Sequence, residues 1–451
     1  MYQESHTRKK QEPGLATQTT AERAATPTAT GPTRVVIIGG GFGGVDAAKA
    51  FKGHDVQVTL IDKRNYNLFV PLLYQVASSQ LSAEHIAEPL RHLFCHQKNV
   101  TIIFDEAVDI DEENKQVVLA ANAPVSYDYL IIAAGARDSY FGNDQWAEYA
   151  WGLKSLEDAH RIQQRMLLNY ELAEVTDDPE ERKRLLTYVL VGGGPTGVEM
   201  AGAIAELSRF TLKKEYHNID TGDTRIVLLE GLDRIFPAFD PKLSAAAQDA
   251  LEKLGVEVRT KAMVTSVDAT GVEINKEERI EAGLIIWAAG IQGASINQGV
   301  ADVAELDRGK RIMVTPELNI PGHPEIFVVG DTAHIPGPEG RPLPGVAQVA
   351  QQGGRAAARN ILLGIKGEAY QPFVYKDYGS MATIGRNRAV ADVGGMKLTG
   401  YPAWAVWAFI HILRLVNFRN KVYVFWKWMW DYVGYNRSGR IITDYKHDAE
   451  D

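Results

Sequence analysis

The chain has 451 residues, too many for one hydrophobic core, so two or three domains are expected. An apolar fraction of 45% with 23% charged residues is ordinary for a globular protein, and a net charge of −9 argues against a general nucleic-acid binder. The single cysteine, Cys95, excludes an internal disulfide, a thiolate-ligated iron–sulfur cluster and a redox dithiol, which leaves redox chemistry to a bound organic cofactor.

Residues 1–33 are rich in Thr, Ala, Pro and charge and read as a disordered tail. They lack the apolar run of a signal peptide, and Glu4, Glu12 and Glu22 intermix with Arg8, Lys9, Lys10 and Arg23, which argues against a transit peptide. From Arg34 the sequence reads RVVIIGGGFGGVDAAKAF. An apolar strand, Val35 to Ile38, leads through Gly39, Gly41, Phe42, Gly43 and Gly44 into a helical pattern. Such glycines serve a tight turn, close backbone approach to a pyrophosphate, and helix-on-strand packing, with the anion on the helix N-terminus. A second strand, VQVTLIDK, ends at Asp62 and Lys63, where a carboxylate accepts from a ribose hydroxyl; together these parts predict a dinucleotide site. Next comes RNYNLFVPLLYQVASSQLS (64–82), an amphipathic segment broken by proline, and then YDYLIIAAGA (127–136), a strand-to-loop exit.

The pattern repeats at TYVLVGGGPTGVEMAGAIAEL. Strand Tyr188–Val191 precedes Gly192, Gly194, Pro195, Thr196 and Gly197, and the strand RIVLLE ends at Glu230. The long interval between glycines and acid is read as a helix running on through FTLKKEYHNIDTGDT. A carboxylate at Glu230 would accept from an adenosine 2′-hydroxyl and repel a 2′-phosphate, favouring NADH; Arg234 is the one nearby cation that would serve NADPH. AGLIIWAAGI (282–291) is a second exit, and HPEIFVVGDTA a further buried strand ending in Gly330-Asp331. Two complete dinucleotide loops suggest one resident flavin and one transient nicotinamide.

In VAQVAQQGGRAAARNIL, Gln348 and Gln352 are four apart and share a helix face. Residues 401–430 hold five of the eight tryptophans and four Lys/Arg with no Asp or Glu. Two apolar stretches, about 403–416 and 422–433, are each too short to span a bilayer, and no window of the chain reaches the ~18–20 uncharged apolar residues a span needs. Val422, Trp426, Met429 and Val433 form a helical seam. Indoles at headgroup depth and Arg414, Arg419, Lys421, Lys427, Arg437 and Arg440 facing anionic lipid would make a membrane-surface hairpin; a hairpin packed on protein, or a dimer interface, is the other reading.

The whole arrangement resembles the two-dinucleotide-binding-domain flavoproteins, the pyridine nucleotide–disulfide reductase fold. The resemblance implies an α/β protein of two Rossmann-like domains. An FAD domain (34–150 and 285–385) is split by an inserted NAD(P)H domain (151–284), and a C-terminal helical membrane-anchoring region (386–451) follows. It places non-covalent FAD against Gly39, Gly41, Phe42, Gly43, Gly44, Asp62, Lys63, Val108, Ala134, Gly135, Asp331, Ala347 and Gln348. NADH falls against Gly192, Gly194, Pro195, Thr196, Gly197, Glu199, Glu230, Ala289 and Gly290. Disulfide reductases and sulfide:quinone reductases use cysteine pairs that this chain lacks. The run Ala347–Gln352 fits AQxAxQ, the signature of type II NADH dehydrogenases, and PLLYQVA resembles that family's flavin-covering segment, although Asn67 stands where a histidine is frequent.

That family resemblance implies a non-proton-pumping NADH:quinone oxidoreductase of a respiratory chain, with Glu199 between nicotinamide and flavin and a membrane quinone at Gln348 and Gln352. It further implies no metal, no nucleic-acid partner, a homodimer, and a peripheral position on anionic lipid at the cytoplasmic side of the inner (plasma) membrane. Two alternatives stay open: a soluble FAD-dependent NAD(P)H:ferredoxin-type reductase, and a flavin-bearing interaction protein resembling apoptosis-inducing factor.

Overall fold

Runs of Val, Ile and Leu without alternation, such as Val35–Ile38, Thr187–Val191 and Leu284–Trp287, are what parallel strands covered on both faces require. In the computed structural model, which describes residues 31–434 and 439–443, these runs form two parallel sheets. Residues 1–30 of the expected tail lie outside the described residues, and Thr33 begins the first strand. The first sheet has the order Asn319–Ile320, His323–Val328, Tyr129–Ile132, Thr33–Ile38, Val56–Asp62, Val100–Phe104, antiparallel only at the Asn319–Ile320 edge. The second runs Ala150–Trp151, Leu284–Trp287, Thr187–Val191, Arg225–Leu229, Val256–Arg259, parallel throughout. In each sheet the chain reverses its direction of growth beside the strand that precedes a glycine loop, and a crevice forms at the carboxyl ends there.

The helices, in chain order, are α1 (Phe42–Ala50), α2 (Leu73–Ala77), α3 (Leu90–Leu93), α4 (Leu156–Val175), α5 (Pro179–Leu185), α6 (Pro195–Glu206), α7 (Pro241–Lys253), α8 (Ala347–Ile365), α9 (Gly400–Arg414) and α10 (Phe418–Gly434). Local chemistry sets several of their starts. Ser155 and Asp158 close a capping box on α4, and Asp178 before Pro179 and Asp240 before Pro241 cap α5 and α7. The chain passes between the two sheets at Ala136–Asp138, paired antiparallel with Ile291–Gly293; residues 150 and 285 both lie in strands of the second sheet.

The expected continuation of α6 through residues 210–224 does not occur. The helix ends at Glu206, a π turn covers Leu207–Thr211, and turns follow. Asp220 takes the Gly222 amide at 2.8 Å and the buried Thr221 hydroxyl donates to Ser208 O at 2.7 Å, so turn-forming side chains capture backbone groups that a helix would have used.

Residues 380–399 form a three-stranded antiparallel sheet, from which α9 and α10 emerge as a hairpin. Ala403, Trp407, Leu415 and Val424 are buried in the same core as α2, α4 and α6. Each fully buried large apolar side chain contributes about 1.5–3 kcal/mol relative to exposure, so the hairpin is seated on the body of the protein. Its elbow is held from below. Strand Ala87–Pro89 pairs with Tyr66–Leu68, and the buried Glu88 accepts from Asn417 at 3.1 Å and Asn420 at 3.5 Å while facing His92 at 2.6 Å. Asn417 in turn caps α10 by accepting from the Arg419 amide at 3.0 Å. Among the described residues no helix is long and apolar enough to cross a membrane.

Candidate functional site

Three glycines in each loop meet three different steric demands. Gly39 (φ +104°) and Gly192 (φ +110°) bend against the neighbouring exit strand, where a Cβ would stand 2.4 Å from Ala133 O and 2.6 Å from Ala288 O. Gly44 and Gly197 close helix onto loop; a Cβ there would meet the Gly39 and Gly192 carbonyl oxygens at 1.8 and 2.0 Å. Gly41 and Gly194 have nothing within 4 Å of that position, and they are the N-caps of α1 and α6. No side chain caps either helix, so the first-turn amides of both face open space with the positive dipole end behind them.

The acids act alike. Asp62 accepts from the amides of Gly40 (2.5 Å) and Arg64 (2.7 Å), and Glu230 from those of Gly193 (2.7 Å) and Leu232 (2.8 Å). Each carboxylate is thereby oriented by the backbone with acceptor capacity left over for a ribose hydroxyl. Burial pushes the Asp62 carboxyl up from its ordinary value, and the two amides oppose that shift. Arg234 turns to Pro237 O at 3.1 Å. Pro195 and Thr196 are exposed at the start of α6, Ala289 is half-buried, and Gly290 (φ +78°) lies against the Phe141 ring.

Around the first loop, α8 packs on α1 so closely that a Cβ on Gly354 would be 2.1 Å from Gly43 O. The uncapped N-terminus of α8, with Ala347 and Gln348 in its first turn, thus adds a second positive helix end beside the first. Asp331 follows Gly330 (φ +76°) and is half-buried, and its partial removal from water raises its carboxyl. Ala134 and Gly135 (φ +72°) form the exit from Tyr129–Ile132. These two open helix ends and the ribose-type acid fit FAD. Of the other expected contacts, Lys63, next to Asp62, pairs with Glu106 at 2.8 Å on the surface, and Val108 is half-exposed on the small sheet formed by residues 107–126. Asn67, despite the departure from histidine, donates to Gly40 O at 2.8 Å and holds the loop from beneath.

Gln348 and Gln352 share a face as expected, but their side chains do not stand free. Gln348 donates to Gly379 O (2.8 Å) and accepts from Tyr378 N (3.2 Å); Gln352 donates to Lys376 O (2.9 Å) and accepts from Lys376 N (3.0 Å). An amide side chain mimics a peptide group, so the pair fastens the extended segment 376–379 as a neighbouring strand would.

Glu199 is 8% exposed, and its Oε1 accepts from Thr383 N at 3.3 Å. Burial pushes its carboxyl up to about 8. It opens on a cavity of about 110 Å³ whose other walls come from α2, the Ser380–Gly385 strand, α9 and α10. Trp404, Trp407 and Trp428 line this cavity, with Trp407 stacked on Trp428 (5.2 Å) and the Trp428 indole donating to Gln75 at 2.9 Å. Phe42 continues the contact from the first loop through Phe69 (6.0 Å) to His411 (6.2 Å). Three of the five C-terminal tryptophans therefore face protein, whereas Trp426 and Trp430 are exposed, as are Val422 and Met429 of the expected seam. Sequence reasoning missed Glu206, Thr383 and Gln75. Glu206 alone carried a signal, lying two helical turns after Glu199.

Two nucleotide loops on two parallel sheets define an oxidoreductase that handles two dinucleotides, and residues 33–354 match the family model for pyridine nucleotide-disulphide oxidoreductases. Residues 378–433 match the NDH2 C-terminal domain. The chain is 44% identical over 424 residues to NdhA, a type II NADH:quinone oxidoreductase of Mycobacterium tuberculosis, across 91% of this chain and 89% of that protein. It is 42% identical over 432 residues to Ndh of the same organism, also a type II NADH:quinone oxidoreductase, across 93% and 92%. NDH2 from Plasmodium falciparum, solved in complex with NADH, has the same fold, with a TM-score of 0.83 at 23% identity over 92% of this chain and 100% of that one. The chain belongs to the type II NADH:quinone oxidoreductases.

Proposed function

We infer that this protein oxidises NADH and reduces a quinone through bound FAD. The observation that carries the reading is the doubled loop: two open, uncapped helix ends, each with an acid held by the loop's own backbone, in a chain whose single cysteine cannot form a redox dithiol. FAD, when bound, supplies the capacity to take a hydride and release an electron pair. The chain's residues supply placement. Gly41 and the α1 and α8 amides would hold the flavin nucleotide, and Gly194, the α6 amides and Glu230 would hold NADH. Glu199, neutral and buried where α6 meets Thr383, would hold a proton at the carboxyl between the two. Gln348 and Gln352 would serve quinone from beside the segment they fasten.

The hairpin supports a peripheral membrane position. Phe409, Leu413, Phe418, Tyr423, Trp426 and Trp430 are exposed on α9 and α10, and Arg414, Arg419 and Lys421 lie among them. Such a surface suits anionic lipid, each cation contributing about 1 kcal/mol. The cytoplasmic side of the membrane and a homodimer belong to the same reading and rest on the family resemblance.

The test is purified protein with anionic or zwitterionic vesicles. Yellow protein that reduces quinone with NADH and sediments with anionic vesicles, less so in salt, is expected. Colourless protein, or no quinone reduction, refutes the flavin reading. Failure to sediment assigns the exposed face of the hairpin to a protein partner.

A further inference from the structure

Conversion of NADH and quinone to NAD⁺ and quinol consumes one proton per turnover beyond the hydride, and that proton has to come from solvent. The cavity that Glu199 lines carries one other carboxyl from the same helix. Glu206 follows Glu199 by seven residues, so both leave the same face of α6, about 10 Å apart along the axis. Both are 8% exposed and both line the cavity of about 110 Å³.

That distance exceeds one hydrogen bond, and a cavity of this volume has room for several waters, each needing roughly 10–15 Å³ of it. Among the described residues, the charged and titratable side chains that line the cavity with Glu206 and Glu199 are Tyr74, Arg386 and Asp431. The Arg386 amide donates to Glu206 Oε1 at 2.5 Å, with that arginine beyond it; Tyr74 of α2 lines the same space; Asp431 of α10 stands at the far wall, paired with Lys427 at 2.5 Å. The remaining walls are the indoles of Trp404, Trp407 and Trp428, the amides of Gln75 and Gln80, the Thr383 hydroxyl, and small apolar or backbone groups.

We propose that Glu206 takes up solvent protons and passes them, through water in this cavity, to Glu199. The inference rests on the NADH:quinone reading above. On transfer the Glu206 O–H bond breaks, water carries the proton, and an O–H bond forms on the Glu199 carboxylate. Quinone reduction consumes the Glu199 proton, and Glu206 is reloaded from the Asp431 side. Glu206 acts only through Glu199, whereas a purely structural Glu206 would need only its acceptor oxygens, as toward the Arg386 amide.

The Glu206→Gln variant separates the two roles, because glutamine keeps an acceptor for that amide and loses the exchangeable acid. In the full-length protein, quinone turnover should fall roughly tenfold or more, the deficit should widen as pH rises, and small weak acids such as formate should restore it. Flavin bleaching by NADH serves as the reference readout for folding and nucleotide binding. The reading independent of activity is hydrogen–deuterium exchange of the protonated Glu199 carboxyl, followed by its infrared band, which should slow in Glu206→Gln and recover in Glu206→Asp. A variant with wild-type pH profile and wild-type exchange overturns the proposal. Wild-type protein that fails to reduce quinone at all refutes the functional reading instead.

Discussion

Replacing Glu199 by glutamine should make the protein more stable at alkaline pH. Burial raises the folded-state carboxyl from the ordinary 4.5 to about 8. Between those values the folded state binds a proton that the unfolded chain has released, so stability falls as pH rises through that window and levels off above it. At 1.36 kcal/mol per unit, a difference of about 3.5 units corresponds to a cost on the order of 5 kcal/mol above pH 8, and none of it below pH 4.5. Glutamine cannot ionise and still accepts from Thr383 N, so the variant should lose this slope. The assay is urea unfolding of both proteins from pH 6 to 9, comparing midpoints at each pH. The wild-type midpoint should decline relative to that of Glu199→Gln, with the gap widest near pH 9. Parallel curves would mean that the carboxylate is solvated in the folded protein and that the buried proton invoked for catalysis does not exist.

Gly41→Val should yield colourless protein, since a branched side chain would fill the open space at the α1 N-terminus; an absorbance spectrum of the purified variant that still shows flavin would refute the role of that space. Glu230→Gln should narrow the preference for NADH over NADPH by a factor of roughly 10 or more, as expected if one buried like-charge contact costs about 1–3 kcal/mol; comparing kcat/KM for the two cofactors decides it, and an unchanged ratio would show that the backbone alone positions the ribose. Gln348→Leu and Gln352→Leu each remove two hydrogen bonds to residues 376–379, worth about 0.5–1.5 kcal/mol apiece. Quinone turnover should slow in both while single-turnover flavin bleaching by NADH persists, and equal loss of both half-reactions would place the pair in support of the flavin.

Parts of the chain dictated by local sterics were legible from the sequence. Gly39, Gly44, Gly192 and Gly197 answer steric demands that no other residue meets, and Asp62 and Glu230 sit where the strand delivers them, so both glycine loops could be drawn before any coordinates. What depended on long-range partners was not legible. Periodicity placed Gln348 and Gln352 on one face, yet nothing in it revealed that residues 376–379 would occupy their amides. The stretch after α6 has helix formers in Leu212, Lys213, Lys214 and Glu215, and only the captured backbone at Thr221 and Gly222 shows why the helix stops. Tryptophan density marked the C-terminal hairpin, while the division into three indoles that face protein and two that face outward required the tertiary fold.

The clasp at Glu88 has a geometric consequence. Gly40 O is tied to Asn67, Asn67 lies opposite Glu88 across a two-strand ladder, and Glu88 is tied to both asparagines of the hairpin elbow. Three short links therefore run from the first nucleotide loop to the turn between α9 and α10, and three of the side chains involved, Asn67, Glu88 and Asn420, are almost wholly buried. Were the hairpin to settle on a flat surface, the clasp would work like a spirit level fixed to the frame. The height and tilt of the nucleotide crevice above that plane would be set within the protein, and every molecule diffusing in two dimensions would meet it at the same angle.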